Sequence, residues 1–270
     1  MALKPLIKTS EIIGTGVEGG LEGIDARDKF RYLNILIHSP SGHGKTSTVA
    51  SACDDERTSP ILVLDCDGGA PLRFVGKDAS KYTIIDIKSI DDVSANFNYL
   101  NKGSHPYKSV LIDNLGALQK VGMFEFANAK IPNFQDTKVW KDNKQPEIQH
   151  WGKSLNQMCF IMQAFKDLKM HVFFTTLSAR VLDDLTKKTF ITVKLPGQQS
   201  DEIPSVPDIV GYISVVKGKE GLERLLMTQP DGSVDAKDRT EALGVGIKLP
   251  NGGKHVTKML DLIWTKYNIK

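Results

Sequence analysis

The residues ILIHSPSGHGKTS, 35 to 47, limit what this chain can fold into more than any other stretch. A short apolar run, Leu33 with Ile35 to Ile37, breaks into Ser39, Pro40, Ser41, Gly42, His43 and Gly44. Lys45, Thr46 and Ser47 follow. An apolar run ended by turn residues reads as a buried strand, and TSTVASAC suits a helix running up to DDERTSP. Strand, glycine-bearing turn, lysine, hydroxyl and helix together make a phosphate-binding loop. Glycines let backbone N–H groups close on phosphate oxygens, the lysine reaches the β and γ phosphates, and the hydroxyl binds Mg²⁺. The pattern G-x-x-x-x-G-K-[ST] asks for glycine where Ser39 stands. A serine with negative φ can make that turn, and the neighbouring Pro40 fixes the path. By chance, G-x-G-K-[ST] would occur in on the order of one chain in a hundred of this length. The expected ligands are therefore the phosphates of a nucleotide, with Mg²⁺.

Such a loop needs a second acid, at the end of a neighbouring strand, to hold the metal. SVLID supplies Asp113, placed 68 residues after Lys45; the competing reading is a helix cap. A third element is LVLDCDGG. Asp65 and Asp67 end the strand that follows the loop's helix, and they share a side if the chain stays extended. A carboxylate there can orient the attacking water. Asp67 is the candidate for that role and Asp65 for a structural acid; the plainer alternative is a turn with two solvated acids. In HVFFTTL, Thr175 and Thr176 are candidates to sense the γ-phosphate, although threonine is also simply a good strand residue.

The remaining patterns set the architecture. ILVLDCD, YTIIDI, SVLID, HVFFTTL, TFITV, IVGYISVV and LERLLMTQ read as strands. DDVSANFNYLN, LQKVGMFEFANA, WGKSLNQMCFIMQAFKDLK and HVTKMLDLIWTKY read as helices. Alternation of this kind implies an α/β fold: a mainly parallel twisted sheet with helices on both faces, and ligands beyond the carboxyl ends of the strands. Residues 1–29 read as an N-terminal extension, 30–230 as the core with a polar loop insertion at 131–150, and 231–270 as a C-terminal segment with a terminal helix. Cys53, Cys66 and Cys159 are scattered and fit a reducing cytosol. No apolar run reaches the length of a membrane span, so a cytoplasmic protein is expected. The net charge of +3 permits an anionic partner without demanding one.

The order of the segments, from phosphate loop through DCDGG, LIDNLGAL, WGKSLNQ, FFTTLSAR and KLPGQQSDEIPSVPDIVGYI to AKDR, resembles the RecA-like P-loop ATPases of bacteriophages. These include proteins proposed to act in single-strand annealing or recombination. The resemblance covers about residues 30 to 245 and implies a RecA-like core. It places the family's catalytic glutamate on Asp67, a side chain one methylene shorter. It places the family's histidine or glutamine sensor on Leu177 or Thr176. It implies that the LPGQQSDEIP loop faces DNA, with Lys187, Lys188 and Lys194 as candidate contacts; a solvated surface is the competing reading. Arg180, Lys194 and Arg239 are the basic residues available to complete a neighbouring subunit's site. Phe190, Trp140 and Tyr212 are the aromatics available for stacking on bases.

The resemblance implies an ATP-hydrolysing protein acting on single-stranded DNA, assembled as a homo-oligomeric ring or filament, with a single-strand binding protein as a candidate partner. In that reading Lys45, Asp67 and Asp113 carry the chemistry. Competing readings are a nucleotide-gated binding module with little or no hydrolysis, a ring-forming helicase or packaging motor, and a small-molecule kinase. No clear Arg-x-x-Arg cluster of a kinase lid follows Asp113.

Overall fold

Asn34–Ser39 forms β1, and all six of its residues are buried. Both faces of this strand are covered, so its apolar run is continuous rather than alternating. The structure, a computed structural model, describes residues 31–127, 147–182, 187–195, 202–218 and 221–269. The expected extension at 1–29, most of the 131–150 insertion including Trp140, and residues 196–201 of the LPGQQSDEIP loop lie outside the described residues.

β1 pairs in parallel with β5 (His171–Leu182) on one side and β7 (Ile209–Gly218) on the other. β2 (Ile61–Asp65), β3 (Tyr82–Asp86) and β4 (Ser109–Asp113) extend the parallel part. β8 (Gly221–Met227) and β10 (Gly246–Leu249) add an antiparallel edge. The order is β10-β8-β7-β1-β5-β4-β2-β3. β6 (Thr189–Val193) pairs with β5, and β9 (Lys237–Asp238) pairs with β7. The expected strand at HVFFTTL is longer than its apolar run. Past Leu177 it continues as a hairpin arm, pairing from Ser178 with Val193 to Leu182 with Thr189. There the ladder, and not burial, keeps the chain extended.

Side-chain alternation sorts the core into two layers. Ile35, Ile37, Ile61, Val63 and Phe173 face α1 (Lys45–Ala50), α2 (Pro71–Phe74) and α6 (His255–Tyr267), meeting Val49, Phe74, Met259 and Ile263. Leu36, Leu62, Leu64, Val110 and Phe174 face α3 (Ile90–Asn101), α4 (Leu115–Phe126) and α5 (Ile148–Lys166), meeting Val93, Leu115, Met158 and Met162. The fold is therefore α/β, with a mainly parallel sheet and helices on both faces, as expected. Phe173 and Phe174 are fully buried on opposite faces, and truncating either to alanine costs about 3–5 kcal/mol.

Helix ends follow local chemistry. Ser89 and Asp92 cap α3 reciprocally, through Asp92 N–H to Ser89 Oγ at 3.0 Å and Ser89 N–H to Asp92 at 2.8 Å. α5 begins at Ile148, three residues before the expected start at Trp151 and inside the stretch expected as a loop. The Glu147 N–H donates to His150 Nδ1 at 2.8 Å, which closes the first turn upstream of the apolar stripe. Residues 231–270 supply β9, β10 and α6 to the same sheet and core. The Val256 N–H donates to Ser51 Oγ at 3.0 Å, and His255 Nδ1 lies 3.1 Å from Thr48 Oγ1. Among the described residues, no helix is long and apolar enough to cross a membrane.

Candidate functional site

The carboxyl end of β1 runs directly into the loop. Ser39 is buried, and its hydroxyl donates to the Pro40 carbonyl at 3.0 Å. The expected turn without glycine at this position is therefore made by an ordinary residue that bonds its neighbour. Gly42 and Gly44 take φ of 81° and 97°, a region in which a side chain is strained. At Gly44 a Cβ would also come 2.9 Å from Arg224 Nε. Lys45 begins α1, and its ammonium donates to the carbonyls of Ser39 at 3.2 Å and Pro40 at 3.3 Å. The cation thus lies over the concave side of its own loop. Burial pushes the Lys45 ammonium below the usual lysine range, while the charges of Asp113 and Asp67 act the other way.

Asp113 ends β4 beside the loop, 4% exposed. The Thr46 hydroxyl donates to one of its oxygens at 2.8 Å, and the Thr175 hydroxyl, on β5, donates to the other. Burial pushes the Asp113 carboxyl above the usual range; the two hydroxyls pull it down, and the charges of Asp67 and Asp65 push it up. Mg²⁺ takes only one or two protein carboxylates and fills its shell with phosphate oxygens and waters. Thr46 and Asp113 fit that need, and a richer cluster of His, Cys, Asp or Glu is absent among the described residues.

The chain does not stay extended from Asp65 to Asp67, so the condition for a shared side is not met. β2 stops at Asp65, and Gly68 turns the chain with φ of 76°. Asp65 is 2% exposed and accepts the N–H groups of Asp67 at 3.3 Å, Gly68 at 3.0 Å and Ala70 at 3.1 Å. It is a clamp that shapes the turn. Asp67 is exposed in that turn. It accepts the Gly69 N–H at 3.0 Å and the Asn114 side-chain amide.

Of the two sensor threonines, the structure brings Thr175 to Asp113. Thr176 is fully buried and its hydroxyl has no hydrogen-bond partner among the described residues. Leu177 pairs in register with Ser39. Arg180, Lys187, Lys188 and Lys194 are exposed on the β5–β6 hairpin and its flanks. Arg239 is elsewhere: it pairs with Asp208 at 3.6 Å and donates to the Ser205 carbonyl at 3.0 Å. Asp208 in turn accepts from Asn34 at the amino end of β1, opposite the loop. Tyr212 is 7% exposed with its ring 5.3 Å from that of His38, which makes it a core residue and not a stacking platform. Phe190 is partly buried within β6.

Three residues at the site escaped the motifs. Asn114 caps α4 and reaches Asp67; its position after SVLID carried a cap signal only. Arg224, on β8, donates from Nε to the His43 carbonyl at 3.1 Å. Nothing in its spacing ties it to a loop 181 residues away. His38 is buried between Ser178 Oγ at 3.0 Å and the Asp235 carbonyl at 2.8 Å, and burial lowers its pKa to about 4.

The fold is similar to that of a KaiC-like protein from the hyperthermophilic archaeon Pyrococcus horikoshii OT3, at 13% identity and TM-score 0.38, covering 72% of this chain and 77% of that one. It is also similar to the RadB recombinase, at 11% identity and TM-score 0.42, covering 72% of this chain and 79% of that one. No curated protein matches the sequence. Residues 31–240 match the family described as AAA domain, a span from the start of β1 through β9 that contains the phosphate loop and all three acids, and the chain belongs to that family.

Proposed function

We propose that this chain binds and hydrolyses ATP and acts on single-stranded DNA in phage-type recombination, annealing or replication. The observation that carries the nucleotide part is the convergence of Lys45, Thr46, Asp113 and Thr175 at one end of the sheet, from three separate elements. The loop amides and Lys45 bind the phosphates, with Lys45 leaving its two carbonyl partners to do so. Thr46 and Asp113 are the residues that hold Mg²⁺, which when bound neutralises charge on the phosphate oxygens. Asp67 orients the attacking water and accepts its proton.

The exposed hairpin lysines Lys187 and Lys188, with Lys194, support contact with an anionic strand. Arg180, Lys194 and Arg239 are the candidates for a neighbouring subunit's site in a ring or filament, and Thr176 for a sensor. A cytoplasmic location, with a single-strand binding protein at hand, accords with this role. The test is ATP turnover with and without single-stranded DNA, in wild type and Lys45→Ala. DNA-stimulated turnover that Lys45→Ala abolishes supports the proposal, and turnover indifferent to DNA overturns its DNA part.

A second reading, a nucleotide-gated module with little hydrolysis, has one observation in its favour. The point on β5 in register with Ser39, the last residue of β1, is Leu177, an apolar side chain with nothing to offer a phosphate. ATP binding without turnover is its signature.

A further inference from the structure

Asp67 is exposed, yet its carboxylate is held at both oxygens. The Gly69 N–H bonds Oδ1 at 3.0 Å, and the Asn114 amide bonds Oδ2 from the junction of β4 and α4. Beneath it, Asp65 fixes the turn through three N–H groups. An exposed aspartate free of such bonds samples several rotamers. This one is tied to the strand end that carries Asp113.

The identity of residue 114 has a chemical reason. As an N-cap it needs only an acceptor, and serine, threonine or aspartate would serve as well as asparagine. Its Oδ1 does that work, accepting the Ala117 N–H at 3.0 Å. Among the favoured caps, asparagine alone carries an amide, with an acceptor oxygen on one side and a donor NH₂ on the other. It can close the helix and bond a carboxylate at once. Aspartate would set a second negative charge against Asp67. A serine hydroxyl is too short to span both partners. The amide is also neutral, so it aims the carboxylate without adding a charge beside the phosphates.

We infer that Asn114 is the positioning residue for Asp67, directing that carboxylate toward the water that attacks the γ-phosphate. The role rests on the reading of Asp67 given above. In the step it serves, the water oxygen bonds to the γ-phosphorus, and the bond to the β–γ bridging oxygen breaks with its electron pair going to ADP. The water proton passes to Asp67 and then to solvent, leaving ADP and inorganic phosphate. Asn114 touches neither water nor phosphate and acts through Asp67 alone.

Asn114→Ser and Asn114→Asp both keep a cap acceptor, so α4 stays closed in each. The expected result is a kcat lower by about tenfold in Asn114→Ser and by more in Asn114→Asp, with KM for ATP within about threefold of wild type. Affinity for ATPγS stays within about threefold as well, because ground-state binding is not the interaction removed. The double variant Asp67→Ala/Asn114→Ser is no slower than Asp67→Ala, since groups that act as a unit do not add. A nucleotide-free crystal structure of Asn114→Ser has the Asp67 carboxylate turned away from the Asp113 side. Asn114 variants that keep kcat within about threefold of wild type, or losses that multiply in the double variant, overturn the inference and leave the role of Asp67 standing. Wild-type turnover in Asp67→Ala overturns the reading of Asp67 itself, and this role with it.

Discussion

The carboxyl ends of β1, β4 and β5, and the β5–β6 hairpin that rises from the last of them, are neighbours built on opposite terms. At the first, most polar groups are buried or half-buried and bonded to one another: Thr46 and Thr175 to Asp113, Lys45 to two carbonyls, His38 to Ser178 and Asp235. On the hairpin, Arg180, Lys187 and Lys188 are exposed, as is Lys194 beyond it. Ion pairs at the surface contribute only about 0–1 kcal/mol. A buried group without its partner costs about 1–3 kcal/mol. One region is therefore held by buried contacts, and the other presents its charges at the surface.

If that difference is real, substitutions at the buried end should change chemistry far more than those on the hairpin. The largest effect is expected for Lys45→Ala, where turnover falls by about a hundredfold or more while thermal stability moves little, since relief of the ammonium's burial offsets the two loop hydrogen bonds lost. A variant that keeps turnover breaks the comparison at its strongest point. The next effect is acid sensitivity. His38 and His171 are buried, and each is lowered from 6.5 to about 4 by burial. Above pH 6.5 both are neutral whether the chain is folded or unfolded. Between pH 6.5 and 4 the unfolded chain binds protons that the folded one refuses, so stability falls as pH falls, on the order of 3 kcal/mol for each group. Chemical denaturation across that range checks it, and a flat profile would mean that neither site is as closed as described.

The same contrast governs what could be read without a structure. GHGKTS and SVLID were legible because the loop needs glycines at positive φ and the strands are buried on both faces, which forces continuous apolar runs. Asp65 and Asp67 were legible as a pair but not in their arrangement. The expectation of a shared side assumed an extended chain, and Asp65 itself bends that chain by gathering three N–H groups. α5 begins earlier than its apolar stripe because a hydrogen bond between Glu147 and His150, and not hydrophobic spacing, starts it. Arg224 could not be read at all. It reaches the loop through the pairing of β8 with β7 and of β7 with β1, a relation that exists only once the sheet is assembled.

Arg224 sharpens the comparison because it is partly exposed yet bonded to the site. Its Nε donates to the His43 carbonyl and its stem lies against Gly44. A hydrogen bond from a charged donor contributes about 1.5–3 kcal/mol. Arg224→Ala should therefore loosen the loop and weaken ATP affinity by about tenfold. Arg224→Lys should restore only part of this, since an ammonium has no Nε at that place. Equal affinity in all three proteins would place Arg224 among the surface charges.

The smallest effect, and the one that probes the hairpin, is expected for Lys187→Ala, Lys188→Ala and Lys194→Ala. A lysine that neutralises a phosphate releases counterions, so its removal lowers the slope of log affinity against log salt by about 0.7 on a single strand. Three such contacts would lower it by about 2 in the triple variant. The salt slope is the proper readout because it counts phosphate contacts whatever the sequence of the strand, whereas affinity at one salt concentration mixes contacts with folding and assembly. A triple variant with an unchanged slope would make these lysines a solvated face, and the strand-binding surface would then have to be sought elsewhere on the molecule. A slope lowered in steps, one for each lysine, would make the hairpin a phosphate-contacting surface.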